Sequence, residues 1–238
     1  MVKHIAIIPD GNRRWARLRG VSYLEAYRRG VEKIREVVRH VATRGLAEYV
    51  TFYVLSVENL LRRSRQELAI LFVLLKSELK RVREDDETYS NGIRVRVIGI
   101  REFLPSDVIR EIELTERATE RNSRCTVILA VAYGGLYEPF HMLSIQLRRR
   151  SHSDLLQELL LESTEHVYRE FTYLGSSEIP PPDIVVRTGG EMRLSNFLLP
   201  HVSGSRLVFL DKYWPDISVK DLDHVVELVE KSKDQYAV

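Results

Sequence analysis

Three stretches of this 238-residue chain gather residue types that can grip anions. Pro9-Asp10-Gly11-Asn12-Arg13-Arg14-Trp15 sets one carboxylate, one amide and two guanidiniums in a glycine-bearing turn. Such a turn can aim backbone N–H groups and Arg forks at a phosphate while Asp10 holds a divalent cation. The plain alternative is a solvated Asp-Gly turn. Arg187-Thr188-Gly189-Gly190-Glu191-Met192-Arg193-Leu194-Ser195-Asn196 carries two Arg, a hydroxyl and a diglycine. Arg–phosphate pairs are frequently bidentate, and a diglycine lets the backbone approach an anion closely. Arg187 follows Ile184-Val185-Val186, so a guanidinium stands at the exit of an apolar run, which packing does not explain. The third stretch is Leu55-Ser56-Val57-Glu58-Asn59. Its Ser56 and Asn59 could face one site or merely cap a helix or turn.

The elements that must position these residues alternate along the chain. His4 to Pro9, Glu48 to Leu55, Arg94 to Ile98, Cys125 to Ala132, Asp183 to Arg187 and Arg206 to Leu210 read as strands. The capping boxes Ser22-x-x-Glu25 and Ser64-x-x-Glu67 open helices that run to Arg44, with Gly45 as the stop, and to about Glu84. Further helices are expected from Pro105 to about Arg121, over 136–150 and 153–172, and from Ser218 to Lys233. Strand–helix alternation predicts an α/β fold: one domain over 1–238, a parallel sheet of about six strands covered on both faces. In such sheets ligands bind beyond the carboxyl ends of the strands, where all three stretches lie. The helix bearing Leu68-Ala69-Ile70-Leu71-Phe72-Val73-Leu74-Leu75 is apolar nearly all round, so it is either buried or lines an apolar cavity. Trp214, in Tyr213-Trp214-Pro215-Asp216, reads as core packing before the closing helix.

Composition narrows the classes. Hydrophobic residues make up 44% and charged residues 29%, enough for a core. The 36 basic and 34 acidic residues leave +2, too neutral to predict nucleic-acid binding. The single cysteine, Cys125, sits in an apolar run and excludes a disulfide framework. The longest purely apolar run, Leu68 to Leu75, has eight residues; a membrane span needs about 20. A strand within three residues of the start leaves no room for a signal peptide. A cytoplasmic protein whose membrane contact would be peripheral, through a lipid product, is expected.

His4 to Ala16 resembles the opening signature of the cis-prenyltransferases, typified by undecaprenyl diphosphate synthase, and Arg187 to Leu199 is similar to that family's late signature. Ser56-x-x-Asn59, Tyr133-Gly134-Gly135 and Trp214-Pro215-Asp216 fall at the expected intervals. The resemblance implies a homodimer or heterodimer with a six-stranded parallel sheet and an apolar tunnel. It implies condensation of an allylic prenyl diphosphate with isopentenyl diphosphate to a Z double bond, with Mg²⁺. By position, Asp10 would hold Mg²⁺ and assist departure of the allylic diphosphate. Gly11, Asn12, Arg13 and Arg14 would cradle that diphosphate, with Trp15 beside it. Arg187, Arg193 and Ser195 would bind isopentenyl diphosphate. Ser56 and Asn59 would position the reacting groups, Asn59 near the departing proton. Val54 and the Leu68–Leu75 helix would bear on tunnel size.

The chain departs from the family at several positions. Tyr23 and Tyr27 stand where an Arg and a His assist the allylic diphosphate; Leu60 replaces an aromatic, and Leu136 an Arg. Pro200-His201 replaces Trp-Gln, and the substrate-binding Arg after the Ser-x-x-Asn motif is Arg62 or Arg63. A metal-associated Glu falls at Arg206, a change of two charge units. Arg206 is therefore expected either to pair with a diphosphate in the metal's place or to turn away. Three functions compete: a Z-polyprenyl diphosphate synthase, an irregular prenyltransferase of the same fold with another coupling pattern or acceptor, and a non-catalytic partner subunit. Joint retention of Asp10, Asn12, Arg14, Arg187, Arg193 and Ser195 argues against the last.

Overall fold

Six short β-branched runs pair side by side in the computed structural model, which describes residues 2–235, the last four of them by backbone alone. The strands are β1 (His4–Ile8), β2 (Tyr49–Ser56), β3 (Ile93–Ile98), β4 (Cys125–Tyr133), β5 (Ile184–Arg187) and β6 (Arg206–Phe209). All pairings are parallel, in the order β3-β4-β2-β1-β5-β6. The helices are α1 (Asn12–Arg19), α2 (Tyr23–Arg44), α3 (Val57–Arg62), α4 (Arg65–Glu84), α5 (Asp86–Ser90), α6 (Ser106–Ala118), α7 (Glu138–Leu147), α8 (His152–Leu161), α9 (Thr164–Phe171) and α10 (Val219–Gln235).

Side chains alternate across the sheet. Ile5 and Ile7 point into a core shared with Val37 and Val41 of α2, Ile112 of α6 and Val225 of α10. Ala6 and Ile8 point into a second core with Tyr133, Leu174 and Phe197. Cys125 and Trp214 are buried, as expected, and the Trp214 indole donates to the Gly30 carbonyl at 2.8 Å.

The serine half of both capping boxes forms: the hydroxyls of Ser22 and Ser64 accept from the N–H groups of Glu25 and Glu67. Gly45 ends α2 with φ +64, in the left-handed region that glycine enters freely. The stretch 153–172 is not one helix. It breaks at Glu162, and Ser163 caps α9 by accepting from His166 N–H. The segment after β1 is more ordered than a turn, since α1 begins at Asn12 directly behind Gly11.

The sequence connection turns back at β1, leaving β1 and β5 as neighbours with Ile8 opposite Arg187. In doubly wound sheets the crevice outside the strand ends at this switch point is the ligand site. The β2–β4 register slips at Tyr53–Ser56, an irregularity at the exit of β2.

Candidate active site

The crevice brings both anion-gripping stretches together. Arg187 ends β5 with its side chain 5% exposed, and its Nη2 donates to Asp10 Oδ2 at 2.7 Å. Its Nη1 donates to Ser195 Oγ at 2.7 Å and to the Arg193 carbonyl. Arg14 Nη2 lies 3.2 Å from the same Asp10 oxygen, and the other end of its guanidinium lies 3.6 Å from Glu191. Arg193 pairs with Glu191 at 2.8 Å. The stretches expected to hold one diphosphate each thus touch in one cluster: Arg14, Arg187 and Arg193 against Asp10 and Glu191.

Backbone geometry explains why this folds locally. Gly11 adopts φ +105, and a Cβ there would lie 2.6 Å from the Tyr213 ring. Gly189, at φ +86, has a Cβ position 2.7 Å from Arg14 Nη2, so any other residue would displace that guanidinium. Ser195, Asn196 and Leu198 all take positive φ, a conformation that non-glycine residues rarely adopt. Asp10 is pinned by its carbonyl, which accepts from Thr188 Oγ1 and Trp214 N–H.

Asn12 donates from Nδ2 to the Pro9 carbonyl, while its Oδ1 is buried without a partner against Gly30. Arg13 stacks over Tyr23 at 5.3 Å and lies 4.0 Å from Glu67. Tyr27 donates to Glu67 and accepts from Arg63 Nη1 at 2.9 Å. Burial foremost, and then the hydrogen bond to Glu67, raise the Tyr27 phenol far above its ordinary range, against the opposing pull of Arg63. A neutral phenol thus occupies the departed position, and Arg63 brings a guanidinium to its side. Arg62 and Arg63 both line the cavity, Arg62 exposed and Arg63 tied to Tyr27 and Glu67.

Ser56 is a cap: its Oγ accepts from Asn59 N–H at 3.0 Å and starts α3. Capping does not remove it from the site, because Ser56 and Asn59 both line the cavity. That cavity holds about 1120 Å³ and runs from Asp10 and Arg187 past Val54, Leu71, Phe72 and Leu75 to Ile93. The apolar run of α4 is therefore wall rather than buried core; among the described residues of α4 only Leu79 is buried, and Val73 is exposed.

Two expected site residues are displaced. Trp15 does not face the cavity: its indole donates to Asp216 at 2.9 Å, with Arg19 over the ring. Arg206 opens β6, opposite Ile184, whereas Arg187 lies opposite Phe209. It therefore sits at the wrong end of the strands, and its Nη1 donates to the Val229 carbonyl of α10 at 2.9 Å. The expectation that Arg206 pairs with a diphosphate in this chain's own cleft is corrected; it turns away.

Glu58 and Asn196 carried no signal of their own in the sequence, being flanked by stronger motif residues. Both line the cavity, and Asn196 Nδ2 donates to Glu58 Oε1 at 2.6 Å.

Among the described residues no cluster of three or more His, Cys, Asp or Glu could enclose a metal ion. Magnesium, however, is commonly held by one or two carboxylates together with substrate phosphates. Asp10, with a side chain 31% exposed at the cavity mouth beside two guanidiniums, fits that mode.

The undecaprenyl diphosphate synthase family model matches residues 8–237. A tritrans,polycis-undecaprenyl-diphosphate synthase (geranylgeranyl-diphosphate specific) of Pyrobaculum aerophilum is 41% identical over 94% of this chain and 91% of its own length. An isoprenyl transferase of Thermotoga maritima is 34% identical over 98% and 96%. The crystal structure of lavandulyl diphosphate synthase from Lavandula x intermedia, in complex with dimethylallyl diphosphate, superposes with a TM-score of 0.85 at 26% identity, covering 96% of this chain and 94% of that one.

Proposed function

The chain belongs to the undecaprenyl diphosphate synthase family of prenyltransferases, and from that premise we propose how its own residues join an allylic prenyl diphosphate to isopentenyl diphosphate with a Z double bond. The observation that carries the proposal is the Asp10–Arg187 pair at the head of an apolar cavity of about 1120 Å³. A cationic mouth on an apolar slot suits a diphosphate with a long hydrocarbon tail. Several relatives are named for geranylgeranyl diphosphate, and we take that as the donor.

Gly11, Asn12, Arg13 and Arg14 cradle the allylic diphosphate, joined by Arg62 and Arg63. Arg187, Arg193 and Ser195 hold isopentenyl diphosphate. The entering phosphates take over guanidiniums that Asp10 and Glu191 occupy in the free protein. As the allylic C–O bond breaks, negative charge builds on the leaving diphosphate, where Arg13 and Arg14 stabilise it. The terminal alkene carbon of isopentenyl diphosphate bonds to the freed allylic carbon, leaving a cation on the internal alkene carbon, and the methylene next to that carbon gives its proton to a diphosphate oxygen as the new double bond forms. Ser56 and Asn59 orient that end. Holding both substrates near contact supplies the proximity effect, and the apolar walls keep water from the cation-like carbon. Magnesium, held by Asp10 with the diphosphate oxygens, would add charge neutralisation at the leaving group.

We further read the chain as one domain that works as a homodimer in the cytoplasm. Leu136, Phe140, Leu160 and Leu161, on and beside α7 and α8, are exposed by 65–75%, apolar surface that a partner copy would cover. No helix among the described residues is long and apolar enough to cross a membrane, so contact with membranes would come through the lipid product.

The test incubates purified protein with radiolabelled isopentenyl diphosphate and a panel of allylic diphosphates, with and without Mg²⁺. Long Z-chains, best from geranylgeranyl diphosphate, are expected. Tyr23 and Tyr27, in place of the family's Arg and His, favour a second reading, irregular coupling, which a short branched, cyclic or ether-linked product would support. No product with any donor, together with a rise in a partner's activity, would overturn both.

A further inference from the structure

Tyr133-Gly134-Gly135 matches a family interval, yet none of its residues grips a phosphate in the scheme above. Its contacts show what it does. Asn196 uses its backbone carbonyl and both ends of its carboxamide to join three segments. Its carbonyl accepts from Gly135 N–H at 2.7 Å and its Oδ1 accepts from Leu136 N–H at 2.7 Å, both at the β4–α7 turn. Its Nδ2 donates to Glu58 Oε1 at 2.6 Å, on the short helix that carries Asn59. A Cβ at Gly134 would sit 2.8 Å from Asn196 Nδ2, and one at Gly135 would sit 2.7 Å from Leu199 N. The diglycine is therefore a bare seat into which the late segment presses.

Asn196 adopts φ +65, and its neighbour Ser195 adopts φ +49. The carboxamide thus holds a left-handed turn that aims Ser195 Oγ at Arg187. Glu58 keeps its second oxygen, Oε2, buried with no partner. A buried carboxylate oxygen of this kind is costly, and the charge-assisted bond to Asn196 offsets part of that cost. Nothing in local packing requires an acid there; what the acid does is reach across to the late segment.

We infer that Asn196, clamped to Glu58, is a positioning residue that sets the spacing between the Ser56–Asn59 segment and the Arg193–Ser195 segment, and so the approach of the two reacting carbons. The inference rests on the prenyl-transfer reading above. It concerns the register of the two subsites rather than the grip of either, because the allylic cradle at Gly11–Arg14 makes no contact with Asn196 among the hydrogen bonds of either residue.

Three variants of the full chain test it, assayed with geranylgeranyl and isopentenyl diphosphates. Asn196→Gly keeps the left-handed backbone without strain and removes the clamp. Asn196→Asp places a carboxylate against Glu58. Asn196→Asp combined with Glu58→Gln restores a donor–acceptor pair with the roles exchanged, while the Leu136 N–H keeps its acceptor. Misplacement by an ångström costs about 100-fold. The first two variants should therefore lose kcat by about that factor, with the KM for the allylic diphosphate moving less than roughly threefold. The double variant should recover to within about tenfold of the wild type. A double variant no better than Asn196→Asp, or an allylic KM that rises as far as kcat falls, would overturn the clamp. Thermal melts of all three must stay cooperative; a loss of activity that tracks a lost melt in Asn196→Gly also counts against positioning. A wild-type protein that does not consume isopentenyl diphosphate would instead sink the prenyl-transfer reading, and that outcome is seen before any variant is compared.

Discussion

Arg187 Nη2 and Asp10 Oδ2 meet at 2.7 Å although 177 residues separate them. Parallel pairing of β1 with β5 puts Ile8 opposite Arg187, so the carboxylate two residues beyond one strand meets the guanidinium at the end of the other. Arg187 is almost wholly buried and reaches both Asp10 and Ser195 with its two terminal nitrogens. The pair therefore organises the mouth of the cavity before any phosphate arrives.

Arg187→Lys keeps the charge but loses the planar fork, and an ammonium cannot serve Asp10 and Ser195 from the same geometry. The KM for isopentenyl diphosphate should rise by about tenfold or more, measured by steady-state kinetics. Asp10→Asn should lower kcat by about 10² or more by removing leaving-group stabilisation, with the Mg²⁺ requirement shifted to higher concentration in a titration.

Gly189→Ala meets two obstacles at once. The backbone is at φ +86 and the new methyl would sit 2.7 Å from Arg14 Nη2. Left-handed conformations cost L-residues about 1–2 kcal/mol. A melting temperature reduced accordingly, with a raised KM for the allylic diphosphate, is the expected result; an unchanged KM would show that Arg14 does not hold that substrate.

Arg206→Met should leave turnover and Mg²⁺ dependence as they are, since the side chain serves the α10 carbonyl of Val229 at the far end of β6. The effect belongs in stability, read from thermal unfolding. A changed metal titration curve would return Arg206 to the chemistry.

His4 sets a pH limit on stability. Its Nδ1 donates to the Pro180 carbonyl, so Nε2 accepts from the Thr51 hydroxyl, and the ring is neutral. Burial foremost lowers its pKa from 6.5 to about 4. The unfolded chain binds the proton first on acidification, so stability present above pH 6.5 is lost as pH falls from 6.5 toward 4. The full difference amounts to about 3 kcal/mol. His4→Gln should flatten the stability curve within that window in chemical denaturation; equal slopes for both proteins would refute the assignment.

Much of this could be read from the chain alone. The alternation of β-branched runs with capped helices specifies a parallel sheet, because each buried strand needs helical cover on both faces. Ser22, Ser64 and Gly45 specify helix ends through backbone groups within a few residues of them. The residue types of the two signatures specify anion binding, since guanidiniums and glycine turns leave little else to do at strand exits. These features are local, and local physics is written locally. What only the tertiary structure decided is which of these groups meet. Strand order set the two anion-gripping stretches side by side, joined through Asp10 and Arg187. Strand direction carried Arg206 to the opposite end from its motif partners. Packing of α1 against the 214–216 turn drew the Trp15 indole to Asp216. Asn196 and Glu58, 138 residues apart, become a pair only when α3 and the late segment meet in the fold. Contacts between distant segments depend on topology and register, which composition and spacing do not contain.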